Sequence, residues 1–236
     1  MTVTQQIITI DGPSGSGKST ISRLLAERLK ATYLDTGAMY RAVGLLAQRQ
    51  SVDLTDDSAV CRLLEGVDLQ LFPGGADIKV IVNGEDISAA IRTAEMGMMA
   101  SRVSALGPVR QALTALQQDM GAKQSVVAEG RDMGTVVFPQ ADHKFFLIAT
   151  PEERARRRTE QLREKGLTAN YEEIFAQIKQ RDHNDSTRAL APLKAASDAV
   201  MIDSSTITID EVVQLMLDTI NKHSPRPKED SLISQV

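Results

Sequence analysis

The 236-residue sequence has no tryptophan, and its aromatic residues amount to 3%. A protein that grips single-stranded nucleic acid on aromatic platforms needs more than that. There is one cysteine, Cys61, so no intramolecular disulfide can form, and the three histidines show no zinc-ligand spacing. Such cysteine usage fits a reducing compartment, and a cytoplasmic protein is expected. No stretch approaches the ~18 uninterrupted apolar residues of a membrane span. The N-terminus MTVTQQIITIDG also lacks the basic and apolar regions of a signal peptide, so neither secretion nor membrane insertion is expected. Positive charge is not in excess: 27 Lys and Arg face 31 Asp and Glu, for a net charge of -4. A broad basic field that coats nucleic acid is excluded, and any positive site must be local.

What is present is an ordinary globular composition, 42% hydrophobic and 25% charged, which is enough for a sizeable core and for one body with insertions. Residues 6–10 form a short β-branched run that ends in Asp11-Gly12. Residues 19–30 then place Ile21, Leu24, Leu25 and Leu29 at helical spacing. A strand around Tyr33-Leu34, a helix over 38–49 and a short helix within 52–66 follow. Over 67–87 the segments VDLQLF, DIKVIV and EDI are divided by Pro73-Gly74-Gly75 and Asn83-Gly84, which reads as an inserted antiparallel meander.

Helical spacing returns over 93–120, broken at Gly107-Pro108, and strands are expected over 125–128 and 144–149. The second strand leads to Thr150 as a helix cap, with Pro151 in the first position and Glu153 three residues after the cap. Helices over 151–165 and 171–185, a strand over 199–202 and a helix over 210–221 complete the pattern. The tail from Lys222 on, with two prolines and little periodicity, is expected to be mobile. Strands that alternate with helices imply an α/β fold with a mostly parallel sheet flanked by helices, whose ligands sit beyond the carboxyl ends of the strands.

One such loop carries Gly12-Pro13-Ser14-Gly15-Ser16-Gly17-Lys18-Ser19-Thr20, which matches the G-x-x-x-x-G-K-[ST] pattern between a strand and a helix. Its backbone N–H groups and the helix dipole suit phosphates, Lys18 reaches the β- and γ-phosphates, and the Ser19 hydroxyl is placed to hold Mg²⁺. The expected ligand is MgATP or another nucleoside triphosphate. A switch GTPase is disfavoured because neither N-K-x-D nor D-x-x-G occurs. Small-molecule phosphoryl transfer remains, and it needs cations around the transferred group.

Cations occur in four places: Arg41 after Asp35-Thr36-Gly37; Arg131 between Glu129 and Asp132; Arg154, Arg156, Arg157 and Arg158 on one helix; and Arg181 and Arg188 around Asp185. Positions 181, 185 and 188 share a helix face if the helix extends that far, as a ligand-binding row or as solvated ion pairs. The arginines at 154–158 stand among Glu152, Glu153, Glu160 and Glu164. They suit either a solvated helix or a lid that closes over phosphates. Glu129 and Asp132 sit where a strand-end carboxylate orients a magnesium shell or reads a substrate, and Asp132 can equally be a turn residue. Cys61 and the histidines are read as core filler and surface.

ITIDGPSGSGKST, YLDTGAMYRA, EGRDMGTVVFP, ATPEERARRR and IKQRDHNDSTRALAPL together resemble bacterial cytidylate kinases, in order and over nearly the whole chain. The resemblance implies a P-loop kinase core over about 1–35, 93–150 and 190–222. It adds an NMP-binding region over about 36–92 with its β insert at 67–87, a small helical lid over about 151–165 and a mobile tail over 223–236. The implied activity is in-line phosphoryl transfer from ATP, with Mg²⁺, to CMP and dCMP, giving CDP and dCDP in pyrimidine nucleotide metabolism. A cytoplasmic monomer without nucleic-acid or membrane partners is implied too. Cytosine would be read by Ser101, Arg110 and Asp132 and the sugar by Arg181 and Asp185. The CMP phosphate would be held by Thr36, Arg41, Arg131 and Arg188. Lys18, Arg131, Arg188 and the lid residue Arg157 would serve the transfer. The chain departs from the family pattern at Thr36, where serine is frequent, and the family varies between Ser and Gly at position 19.

Overall fold

The computed structural model describes residues 5–74 and 77–223. Its central strand is β1 (Ile7–Asp11), whose IITID run is buried from its second residue on because helices cover both faces of the sheet. The sheet is wholly parallel, in the order β2-β6-β1-β7-β8, with β2 Thr32–Asp35, β6 Val126–Gly130, β7 His143–Ile148 and β8 Val200–Asp203. Register places Asp11 opposite Gly130 on one side and Phe146 on the other, so the loops after β1 and β6 open side by side. That is the position at which open parallel sheets bind ligands.

Helices α1 (Lys18–Leu29) and α8 (Ile209–His223) belong to one side of the sheet, where Ile8, Ile10, Leu25, Phe145 and Val212 form a core. The larger core joins α2 (Thr36–Arg49) and α5 (Gly107–Lys123) to the other side, through Leu34, Met39, Val43, Val109 and Ala128. α3 (Asp57–Leu64), capped by the Asp56 carboxylate, also joins that cluster through Val60. At roughly 1.5–3 kcal/mol for each fully buried large apolar side chain, these two clusters hold the fold.

The expected meander is present as β3 (Leu69–Gly74), β4 (Asp77–Val82) and β5 (Glu85–Asp86). Asn83 at φ 50° and Gly84 at φ 82° turn β4 into β5, and a two-residue turn of this hand requires positive φ at both positions. Val80 and Val82 of β4 join the α2 core, so the insert is anchored by alternate residues of that strand. A further helix, α4 (Ala94–Val103), packs along α2.

α6 (Pro151–Glu164) starts at its cap, the Thr150 hydroxyl accepting from the Glu153 N–H at 3.2 Å, and pairs with α7 (Tyr171–Thr187). Only Ala155, Ile174 and Ile178 form the buried core of this hairpin. A core that small opens at lower cost than the two above.

Several expectations shift. α2 begins at Thr36 rather than 38, because the Asp35 carboxylate caps it by accepting from the Ala38 N–H at 2.8 Å. α7 ends at Thr187, and Arg188 is its C-cap with extended backbone, so the helical row of 181, 185 and 188 loses its third member. β8 lies one residue later than 199–202. Cys61 is exposed rather than core filler, while His143 is buried in β7. No helix among the described residues is long and apolar enough to cross a membrane. The tail expected over 223–236 lies, from 224 on, outside the described residues.

Candidate active site

The loop between β1 and α1 has the shape its glycines predict. Gly12 has φ +150°, and a Cβ built on it would lie 2.0 Å from the Leu147 carbonyl oxygen, so no other residue fits. Lys18, in the first turn of α1, is buried and folds back over its own loop, donating to the Pro13 carbonyl at 2.6 Å. Burial lowers its pKa to about 7, and Arg131 and Arg181 push the same way against Glu129 and Asp11. Phosphate oxygens in the loop would reverse that shift by supplying the missing negative charge.

Facing Lys18 is one cavity, lined by the ends of β2 and β6 and by α2, α4 and α7. It gathers Thr36, Arg41, Ser101, Arg131, Arg181, Asp185 and Arg188, together with Asp132, from four separate stretches of sequence. Asp185 is the hub of one network. Its carboxylate accepts from the Ser101 hydroxyl at 2.7 Å and from Arg131 Nε at 2.9 Å, with Arg181 Nε 3.9 Å away. Burial alone would raise its pKa, but Arg131, Arg181 and the Ser101 hydroxyl outweigh it, and the group is held below the usual carboxylate range.

Asp132 is the hub of the second. Arg110 and Arg188 both address its carboxylate, Arg110 also donating to the Ser104 carbonyl at 3.1 Å and Arg188 to the Ser104 hydroxyl at 2.7 Å. The Arg110 guanidinium lies over the Tyr40 ring, 5.9 Å from its centre. Here burial wins, and the Asp132 pKa is raised despite both arginines.

Arg181 donates to the Ser14 hydroxyl at 3.0 Å, and burial followed by repulsion from Arg131 lowers its pKa to about 10. Arg41 is paired with Asp35 at 2.9 Å. The Nε atoms of Arg41 and Arg181 are buried without a hydrogen-bond partner among the described residues. Buried donors of that kind are costly unless a ligand supplies the acceptor. The Thr36 hydroxyl donates to the Glu129 carbonyl at 2.6 Å.

The arginines of α6 separate by rotation about the helix. Arg154 is buried and structural: it donates to the Ser14 carbonyl at 3.0 Å and to both carboxylate oxygens of Asp182. Arg156 is exposed between Glu153 and Glu160. Arg157 binds Glu153 at 2.7 Å and the Ser204 carbonyl and hydroxyl, with its Nη1 4.0 Å from where a Gly17 Cβ would stand. Arg158 is half-buried, lines the wider cleft beside the P-loop, and has no hydrogen-bond or ion-pair partner among the described residues.

Residues that sequence reasoning passed over include Asp35, Ser104, Asp182 and Ser204, which hold the arginines in place. Asp35 had a local signal, its spacing as a cap before Ala38, whereas the others act only through tertiary contacts. Tyr33 was likewise missed as a donor to the Glu129 carboxylate.

Ser19 and Glu129 lie on the same cavity wall. These hard oxygen donors fit Mg²⁺, which takes one or two protein ligands and completes its shell with water and phosphate. Among the described residues no cluster of three or more His, Cys, Asp or Glu could hold a metal unaided, so the nucleotide phosphates would supply the remaining ligands.

Comparison with known proteins gives the family. The family model described as cytidylate kinase matches residues 8–222. A cytidylate kinase of Geobacter sp. (strain M21) is 51% identical over 216 residues, covering 92% of this chain and 93% of the relative. Another, of Pasteurella multocida (strain Pm70), is 46% identical over 217 residues, covering 92% and 96%. A phosphate loop beside a pocket of arginines and carboxylates, in a chain matched over this length, places the protein in the cytidylate kinase family.

Proposed function

We propose that the protein phosphorylates CMP and dCMP at the expense of ATP, yielding CDP and dCDP by direct in-line transfer, as a cytoplasmic monomer. The observation that carries this reading is the juxtaposition of Lys18 with a pocket whose buried Arg41 and Arg181 Nε donors lack acceptors among the described residues. Two substrates with phosphates, one on each side of that junction, satisfy them.

In this reading the backbone of residues 12–20 cradles the ATP phosphates and Lys18 stabilises charge that shifts in the transition state. Thr36, Arg41, Arg131 and Arg188 hold the acceptor phosphate, and fixing it in line supplies much of the rate. Asp185 and Arg181 take the sugar. Asp132, buttressed by Arg110, accepts from the cytosine amino group, and Ser101 completes the base site. Mg²⁺, held through Ser19 with Glu129 near it, would neutralise charge on the β- and γ-phosphates. We assign the closing cation of the lid to Arg158 rather than Arg157, since Arg157 is already engaged on Ser204 and Glu153.

An assay with ATP and each of the four ribonucleoside monophosphates tests the proposal, with CMP expected to be strongly preferred. Uracil would set its O4 acceptor against the Asp132 carboxylate, and sites built on buried hydrogen bonds reject such analogues by up to ~10⁴-fold. Asp132→Ala should pull the CMP to UMP ratio of kcat/KM towards unity. ADP formation indifferent to the added monophosphate would overturn the assignment.

A further inference from the structure

The turn that follows Asp132 is a short π-helical segment, Met133–Val137, and Asp132 occupies its N-cap position. Its carbonyl accepts from Val136 and Val137 at 2.9 and 3.2 Å. The first N–H groups of any helical turn lack partners within it, and an aspartate at the cap ordinarily turns its side chain back to accept from them. Asp132 makes no such bond. The N–H groups of Met133 and Gly134 instead donate to the two carboxylate oxygens of Asp11, each at 2.8 Å, from the last residue of β1. Asp11 is buried at 3% exposure, and neither the phosphate loop nor the pocket lining includes it. The approach is close: a Cβ on Gly134 would lie 3.0 Å from the Thr9 hydroxyl of the same strand.

We propose that Asp11 is a positioning residue for base selection. It caps the 133–137 turn from the neighbouring strand, which releases the Asp132 carboxylate from that duty and leaves it to Arg110, Arg188 and the substrate. Because Asp11 immediately precedes Gly12, the same residue ties the phosphate loop to the loop that carries Arg131 and Asp132. Without the Asp11 carboxylate, the Asp132 carboxylate at the N-cap is an acceptor on which its own turn can draw. A side chain drawn back to cap it no longer reaches the cytosine amino group. A misplacement of about 1 Å is worth up to ~10²-fold at a reacting site.

This inference rests on the base-reading role given to Asp132, and the experiment separates the two. Steady-state kcat/KM for CMP and UMP is measured on the full chain of the wild type and of Asp11→Asn, with ATP KM and a thermal melt beside each. The amide replaces one carboxylate oxygen by a donor that faces an N–H. The expected result is a CMP to UMP ratio lowered roughly tenfold or more through a higher CMP KM, with ATP KM changed less than about twofold. A wild type that does not distinguish CMP from UMP would overturn the base-reading role itself. A discriminating wild type together with an equally discriminating variant, or with a variant whose loss falls on ATP, would overturn the inference and leave Asp11 as a support of the core. If the variant does not fold, amide exchange on the wild type decides. Met133 and Gly134 N–H protection should rise when CMP is added and not when UMP is added, and equal or absent responses would reject the positioning role.

Discussion

Arg131 Nε donates to the Asp185 carboxylate at 2.9 Å, joining the loop after β6 to the last turn of α7. The pair stands 54 positions apart in sequence, and it ties the strand-end loop to the hairpin that bears the α6 arginines. Asp185→Ala leaves Arg131 and Arg181 without this partner and removes the acceptor of the Ser101 hydroxyl. The expected result is a rise in CMP KM of tenfold or more, ~1.4 kcal/mol or above, with ATP KM nearly unchanged. A loss confined to the melting temperature, with kinetics intact, would reduce the pair to structural ion pairing.

Lys18 gives a pH-dependent signature. Its pKa of about 7 in the free protein, lowered by burial and then by Arg131, leaves it largely neutral at pH 8. Bound phosphates restore the charge, so ATP binding at that pH should take up close to one proton, read as a binding enthalpy that varies with the ionisation enthalpy of the buffer. The same lowered pKa makes the folded chain bind fewer protons than the unfolded chain between about 7 and 10.5, so this residue's contribution to stability grows as pH rises through that window. Lys18→Ala should abolish the proton uptake and lower kcat by ~10²-fold or more in a folded protein. Uptake that persists in the variant would assign it to another group.

The α6 arginines are sorted by two parallel substitutions. Arg158→Ala should lower kcat by roughly 10²- to 10³-fold with little change in melting temperature, because its guanidinium has no partner to lose among the described residues. Arg157→Ala should instead lower the melting temperature, since it removes donors to Glu153 and Ser204. The reverse pattern would return the transfer role to Arg157.

Asp11 has its pKa raised to about 6, by burial first, against the two backbone N–H groups and Lys18 that favour the charge, while Asp132 adds to the rise. The folded chain therefore holds this proton up to about 6, whereas the unfolded chain releases it near 3.8. The contribution to stability is full below the lower value and is lost as pH rises to the upper one. The stability difference between wild type and Asp11→Asn, followed by denaturant titration, should move in favour of the variant from pH 4 to 6 and level off above. A difference that stays flat would mean an ordinary carboxyl at this position.

What the sequence determined by itself lies within single short stretches. The phosphate loop was legible because its glycines, Lys18 and Ser19 do their work through local backbone geometry, as did the Asn83-Gly84 turn and the Thr150 cap. The sheet order and the roles of residues far apart in sequence are of another kind. Asp11 and Met133 stand 122 positions apart, Ser101 and Asp185 stand 84 apart, and nothing local to either member names its partner. Arg188 was expected on the α7 face, yet it reaches Asp132 from extended backbone beyond the helix, because the chain turns there and donates its Nε to the Ala191 carbonyl at 2.8 Å. The four arginines clustered at 154–158 of α6 are chemically alike in sequence. Only the packing of α6 on α7 and the phosphate loop decides that Arg154 is buried on Asp182, Arg156 faces solvent, Arg157 rests on Ser204 and Arg158 meets the cleft. Composition and spacing select the residue types and the local turns; which charge ends up without a partner depends on distances that exist only once the sheet, the insert and the hairpin have packed.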